Sequence, residues 1–350
     1  MVNMYNRTSA DINPYDVRPS NSSREPTAPV AVKFDKDAPY YDMSGDKYLI
    51  ILNHHTFEKT KYFKRKPSTR NGTYNDEGRL RQVFDKLGFL TFVFRNLKYQ
   101  DIIDRLTSIA TTLDRTRTSC VCITILTHGD KGGKVFAADQ PYQLSEVMDI
   151  FGKHVNLINK PKLFFVQACR GGNMDPGHTV NLSTQCDSEL RNMPSYSTSE
   201  IPSCHYSSFE EVMMIMEQPQ KTDASSFCLW SFLDSLKASV GCWKDPDDLD
   251  ISDSQDKSFL TVPTHADTLV VCSTVEDFLS YRDGSGSWMI QALCNTILQN
   301  HESQNLLDMI IQMNRTVAYE KTTRFCKLKE MNKKKQMPET RFTLTKHLKF

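Results

Sequence analysis

A chain of 350 residues with 43 Lys plus Arg against 42 Asp plus Glu is nearly neutral, which gives no ground for a nucleic-acid partner. Hydrophobic residues make up 39%, ample for one large packed domain or two ordinary ones. No apolar run suits a signal peptide or spans a bilayer, so no membrane contact is expected, and the ten cysteines are expected as thiols in a reducing cytoplasm.

Residues 1–40 are rich in Asn, Ser, Pro and charge, and read as a flexible leader. An alternation of short apolar runs and helical patterns follows. YLIILN (48–53) reads as a buried strand, Asp76 to Leu87 as a helix, FLTFVF (89–94) as a strand and Tyr99 to Thr116 as a helix. CVCITILTH (120–128) is the next strand, Ser145 to Phe151 a helix, and KLFFVQAC (162–169) a strand. This pattern predicts an α/β fold, a mostly parallel central sheet flanked by helices on both faces. Residues 173–261 break it with Pro, Ser, Gln and Asp clusters around two less polar patches, VMMIM (212–216) and FCLWSFL (227–233), and read as a long unstructured linker. Order resumes with the strand TLVVCS (268–273), helices over 287–301 and 304–320, and a final strand RFTLTKHL (341–348).

Two of these strands end in reactive residues. VCITIL runs into Thr127-His128-Gly129-Asp130, and LFFV into Gln167-Ala168-Cys169-Arg170-Gly171-Gly172. In an open parallel sheet, ligands sit beyond the carboxyl ends of the strands, so His128 and Cys169 are expected along one edge. A thiolate is the working nucleophile, and a nearby imidazole lowers the thiol pKa and carries protons to the leaving amine. Glycines close to both residues let backbone N–H groups approach a reacting oxygen, which nominates Gly129 and Cys169 as an oxyanion hole. No CxxC pair supports a zinc site, and neither a metal nor a cofactor is expected.

The string QACRG with an upstream histidine resembles the nucleophile signature of caspases, and the likeness runs from about residue 46 to the C-terminus. Among caspases the chain resembles the effector type with a short leader. The resemblance implies a pocket for a substrate aspartate built from Arg70, Gln167 and Arg282. It implies an extended substrate pairing with the Ser280–Arg282 backbone, side-chain walls from Leu279 and Tyr281, and Trp288 near the fourth residue back. It also implies that the Ser68 carbonyl orients His128. The chemistry suits these residue types, because a guanidinium fork matches a carboxylate, and a neutral side chain would leave two cations unpaired.

Three features depart from the family pattern: Asp283 where effector caspases that prefer aspartate at the fourth position usually carry Asn, a short loop from Arg282 to Trp288, and the long linker. The resemblance implies a cytosolic zymogen in apoptosis, cut within the linker, where Asp253 and then Asp223 have the best local chemistry. A large-subunit part (41–172) and a small-subunit part (262–350) follow, pairing as a homodimer with the final strand near the two-fold axis. Protein substrates with aspartate at the cut, inhibitor proteins and an upstream protease are the expected partners. Two alternatives stay open: a catalytically inactive homologue acting as regulator or decoy, and a related peptidase cutting after basic or Asn residues.

Overall fold

The computed structural model of this protein describes residues 35–180, 262–324 and 329–350. The unit from Asp37 to Phe350 is built on a six-stranded sheet. Its strands are β1 (Asp46–Asn53), β2 (Phe89–Arg95), β3 (Thr118–Leu126), β7 (Lys162–Gln167), β8 (Thr268–Cys272) and β11 (Glu339–Phe342). Across the sheet they lie in the order β11-β8-β7-β3-β1-β2. All neighbours are parallel except the edge strand β11, which runs antiparallel to β8.

Successive side chains of a strand point to opposite faces, and the core divides accordingly. Leu49, Ile51, Cys120, Cys122, Leu163, Phe165, Leu269 and Val271 face helices α1 (Thr73–Lys86), α4 (Trp288–Asn300) and α5 (Leu306–Arg315). Ile50, Leu52, Val121, Ile123, Ile125, Phe164, Val166 and Val270 face α2 (Tyr99–Thr112) and α3 (Leu144–Gly152). Over the inner strands β1, β3, β7 and β8 both faces are therefore dry, which is why these strands read as continuous apolar runs rather than alternating ones. The expected α/β architecture with helices on both faces is the observed one.

Several boundaries differ from those the sequence suggests. Helix α2 stops at Thr112, not Thr116, because the Asp114 carboxylate accepts from the N–H groups of Thr116 and Arg117 and folds the chain into a turn. Helix α1 begins at Thr73, three residues before Asp76, on a left-handed Gly72 (φ 85°). The last strand covers Glu339–Phe342 rather than 341–348, because its partner β8 begins at Thr268 and pairing runs out where Thr343 N–H reaches the Thr268 carbonyl. Leu348 and Phe350 then turn into the core beside Phe84 and Phe89.

A small sheet of β4 (Gly129–Asp130), β5 (Lys134–Phe136) and β6 (Pro141–Gln143) follows His128, and its strands are too short to carry a periodic signal. Residues 173–177, assigned to the linker by composition, belong to the body. Asn173 bridges Phe278, and Asp175 bridges Lys335. The candidate cleavage residues Asp223 and Asp253 lie outside the described residues, as does most of the leader. Among the described residues no helix is long and apolar enough to cross a membrane.

Candidate active site

Strands β3 and β7 are adjacent and parallel, and their pairing ends at Leu126 opposite Gln167. His128 and Cys169 each stand two residues beyond that pair, so sheet register alone brings them to one edge. The Thr127 N–H still bonds the Gln167 carbonyl, at 3.1 Å, which keeps the two chains in step to that point. Gly129 then passes so close to the second chain that a β-carbon on it would stand 2.3 Å from the Cys169 carbonyl oxygen. Only glycine fits.

The imidazole of His128 is fixed from its far side. Its Nε2 lies 2.9 Å from the Ser68 carbonyl oxygen. A carbonyl can only accept, so Nε2 carries the proton and Nδ1 is the basic nitrogen. Phe57 packs on the ring at 4.9 Å between centroids, and Phe136 lies at 6.2 Å. These contacts leave the ring little freedom to turn.

Cys169 is half-buried against the segment that follows β8. The Ser280 N–H approaches its Sγ at 3.5 Å, and Sγ lies 3.8 Å from the Ser280 carbonyl. Leu279, Tyr281 and Trp288 form a small buried apolar cluster on which Cys169 and Met174 pack. The Tyr281 and Trp288 rings are 5.1 Å apart, and the Trp288 N–H bonds the Tyr281 carbonyl. The turn carrying the cysteine is anchored next door by Arg170, which pairs with Glu276 at 2.5 Å and with Glu339 of β11.

Two arginines from separate segments both reach the head of α1. Arg70 precedes α1, is 2% exposed, and donates to the His54 carbonyl (3.0 Å) and the Thr73 hydroxyl (2.9 Å). The relay continues as Thr73 donates to Asn53 Oδ1 and Asn53 donates to Glu77, which also accepts from Arg95. A buried cation is thereby held by directional bonds that end on a carboxylate, as a buried charge requires. Arg282 opens a hairpin of β9 (Arg282–Asp283) and β10 (Gly286–Ser287), and its side chain lies over Gly72 at the head of α1. Gln167 is 3% exposed, with Nε2 3.2 Å from the Ser280 hydroxyl, while its Oε1 has no hydrogen-bond partner among the described residues. Asp283 is exposed, and its Oδ1 accepts from Ser285 N–H and Gln291 Nε2.

Sequence reasoning missed Asn53, Thr73, Asp76, Glu77 and Ser287. For Asp76 a signal existed. Thr73, Leu80, Val83 and Phe84 form the buried stripe of α1, and an acid standing on that stripe at Asp76 is out of place unless it is paired.

Comparison with known proteins places the chain in a family. The model for the caspase domain matches residues 46–349. Caspase-1 of Spodoptera frugiperda is 27% identical over 354 aligned residues, covering 100% of this chain and 94% of its own. Caspase drICE of Drosophila melanogaster is 26% identical, covering 95% of this chain and 78% of its own. The crystal structure of the Spodoptera caspase-1 superposes with a TM-score of 0.64 at 25% identity, covering 91% of this chain and 97% of that one.

Proposed function

The chain belongs to the caspase family of cysteine proteases, and from that premise we propose that it is a catalytically competent endopeptidase that cuts proteins after aspartate. The observation that carries this reading is the shared register of His128 and Cys169 beyond the Leu126–Gln167 pair.

In this mechanism the Cys169 thiolate attacks the scissile carbonyl and forms a tetrahedral adduct. The N–H groups of Gly129 and Cys169 meet its oxyanion, a contribution that typically exceeds any other single one. His128, held through Nε2 by Ser68, passes the proton on Nδ1 to the leaving amine, and the C–N bond breaks to leave a thioester. Water then adds to the thioester with His128 as base, releasing the acid and restoring the thiol.

Arg70 and Arg282 would clamp the aspartate carboxylate. Rotation of the Gln167 carboxamide lets the Ser280 hydroxyl donate to Oε1 and frees Nε2 to donate to the same anion. The Ser280–Arg282 backbone would pair with the substrate as an added strand, beside walls from Leu279, Tyr281 and Trp288.

Activation fits the same reading: the nucleophile and Arg282 lie on opposite sides of the linker, where a cut at Asp253 or Asp223 would yield a large and a small subunit. Pairing of two processed chains along the edge strand β11, a cytoplasmic setting and a role in apoptosis complete the proposal.

Fluorogenic tetrapeptides varied at the last position test the activity. Turnover confined to aspartate is the expected result. A folded protein that binds such peptides and cuts none would instead be the inactive regulator or decoy. Mass spectrometry of self-processed protein tests activation, and new termini lying only outside residues 173–261 would remove it.

A further inference from the structure

The pocket proposed above would set two guanidinium groups around one carboxylate, and without substrate such like charges repel each other. The first turn of α1 holds a buried acid beside them. Asp76 is 0% exposed and stands on the stripe that otherwise buries Leu80, Val83 and Phe84. Its Oδ1 accepts from the Ser287 N–H at 2.7 Å, and its Oδ2 from the Ser287 hydroxyl at 2.6 Å.

Both bonds go to the hairpin that carries Arg282, for Ser287 is the residue paired directly with Arg282 across it. The neighbouring Gly286 (φ +122°) lies so close that a β-carbon there would stand 2.4 Å from Asp76 Oδ1. The hairpin is thus seated on the carboxylate itself. On the other side, the Arg282 side chain lies over Gly72, four residues before Asp76, its Cδ 3.6 Å from where a β-carbon would stand. Arg70 precedes the same helical turn and bonds to Thr73 within it.

Burial is the largest influence on Asp76 and raises its pKa above the ordinary carboxylate value, while the Ser287 bonds and the charges of Arg70 and Arg282 act against it and favour the ionised form. An ionised acid in this place does two things that a neutral side chain cannot. It offsets the repulsion between the guanidinium groups, and it holds two N–H and O–H donors of the hairpin at once.

Resting on the function proposed above, we infer that Asp76 is a positioning residue for the aspartate pocket, joining the segment that carries Arg70 to the hairpin that carries Arg282. The join spans the linker, so it keeps the two arginines together after the chain is cut. Asp76 does not touch substrate; it acts through Arg282 and Ser287.

Asp76→Asn keeps the shape and one acceptor but removes the charge. The expected result is a rise in KM for aspartate peptides of about tenfold to a hundredfold, with kcat less affected. Alkylation of Cys169 by iodoacetamide, which needs no pocket, should keep its rate. Ser287→Ala should shift KM in the same direction by less, and the double variant should fall short of the sum. An unchanged or lower KM in Asp76→Asn overturns the inference, and a parallel loss of alkylation reduces Asp76 to general structure. Calorimetry with a tetrapeptide ending in free aspartate, on the Cys169→Ala background, reads the pocket without chemistry. If protein with Cys169 intact cuts no peptide, yet binding on the Cys169→Ala background weakens with Asp76→Asn, the proposed activity is refuted and this inference stands. Binding that is absent, or unaffected by Asp76→Asn, overturns the inference.

Discussion

Gly129 lies against Cys169 so tightly that a β-carbon on the glycine would stand 2.3 Å from the cysteine carbonyl oxygen, inside any real contact distance. Gly129→Ala therefore has to push the His128 turn away from the Cys169 turn. We expect kcat/KM to fall by about a hundredfold or more, because donors aimed at the oxyanion lose their aim. Steady-state kinetics beside a circular-dichroism melt checks this, and near-normal turnover would remove Gly129 from the oxyanion hole.

Cys169→Ala is expected to abolish peptidase activity with little change in melting temperature. Its Sγ contacts to Ser280 are long, at 3.5–3.8 Å, and a methyl group keeps the packing on Leu279 and Trp288. Residual turnover near that of the parent would exclude Cys169 as the nucleophile.

Arg70→Ala and Arg282→Ala should both reduce cutting after aspartate by orders of magnitude, yet differ in stability. Arg70 is buried and bonded to His54 and Thr73, so its loss orphans buried acceptors and should cost about 1–3 kcal/mol. Arg282 is only half-buried in a short hairpin, so its loss should cost less. Denaturant melts of the two variants make the comparison, and equal destabilisation would contradict it.

His54 gives an acid-sensitive element. It is fully buried, donates through Nε2 to the Leu97 carbonyl, and burial pushes its pKa down from 6.5 to about 4. The unfolded chain takes up this proton near pH 6.5, whereas the folded protein resists until about pH 4. Stability is therefore full above 6.5 and falls as pH drops towards 4, by about 3 kcal/mol from this group. His54→Asn should be less stable at pH 7 and show a shallower decline across that window. Identical pH slopes for parent and variant would exclude the histidine as the source.

Much of the scaffold was legible because its determinants are local. The sheet strands announce themselves as apolar runs, and the reactive residues sit directly after two of them. What escaped notice was short or negative in character: the three small strands after His128, and the Asp114 turn that ends α2 early. The buried acid at Asp76 carried a visible signal, an acid on an apolar stripe, but its partner was out of sight. Ser287 lies far along the chain, and nothing in either local sequence names the other.

By itself the sequence determined the secondary-structure alternation and the family resemblance, which nominated Cys169, His128 and both arginines. Side-chain period and residue type are properties of short windows, so they survive reading in one dimension. Only the tertiary structure decided that Leu126 pairs with Gln167 and that Gly129 touches Cys169, and it placed the Ser68 carbonyl on His128 where the resemblance had only implied it. It alone seated the Arg282 hairpin on the first turn of α1. These are contacts between distant segments, several of them made by backbone atoms that every residue possesses. Strand order and loop closure choose them, and neither leaves a mark on the residues that end up touching.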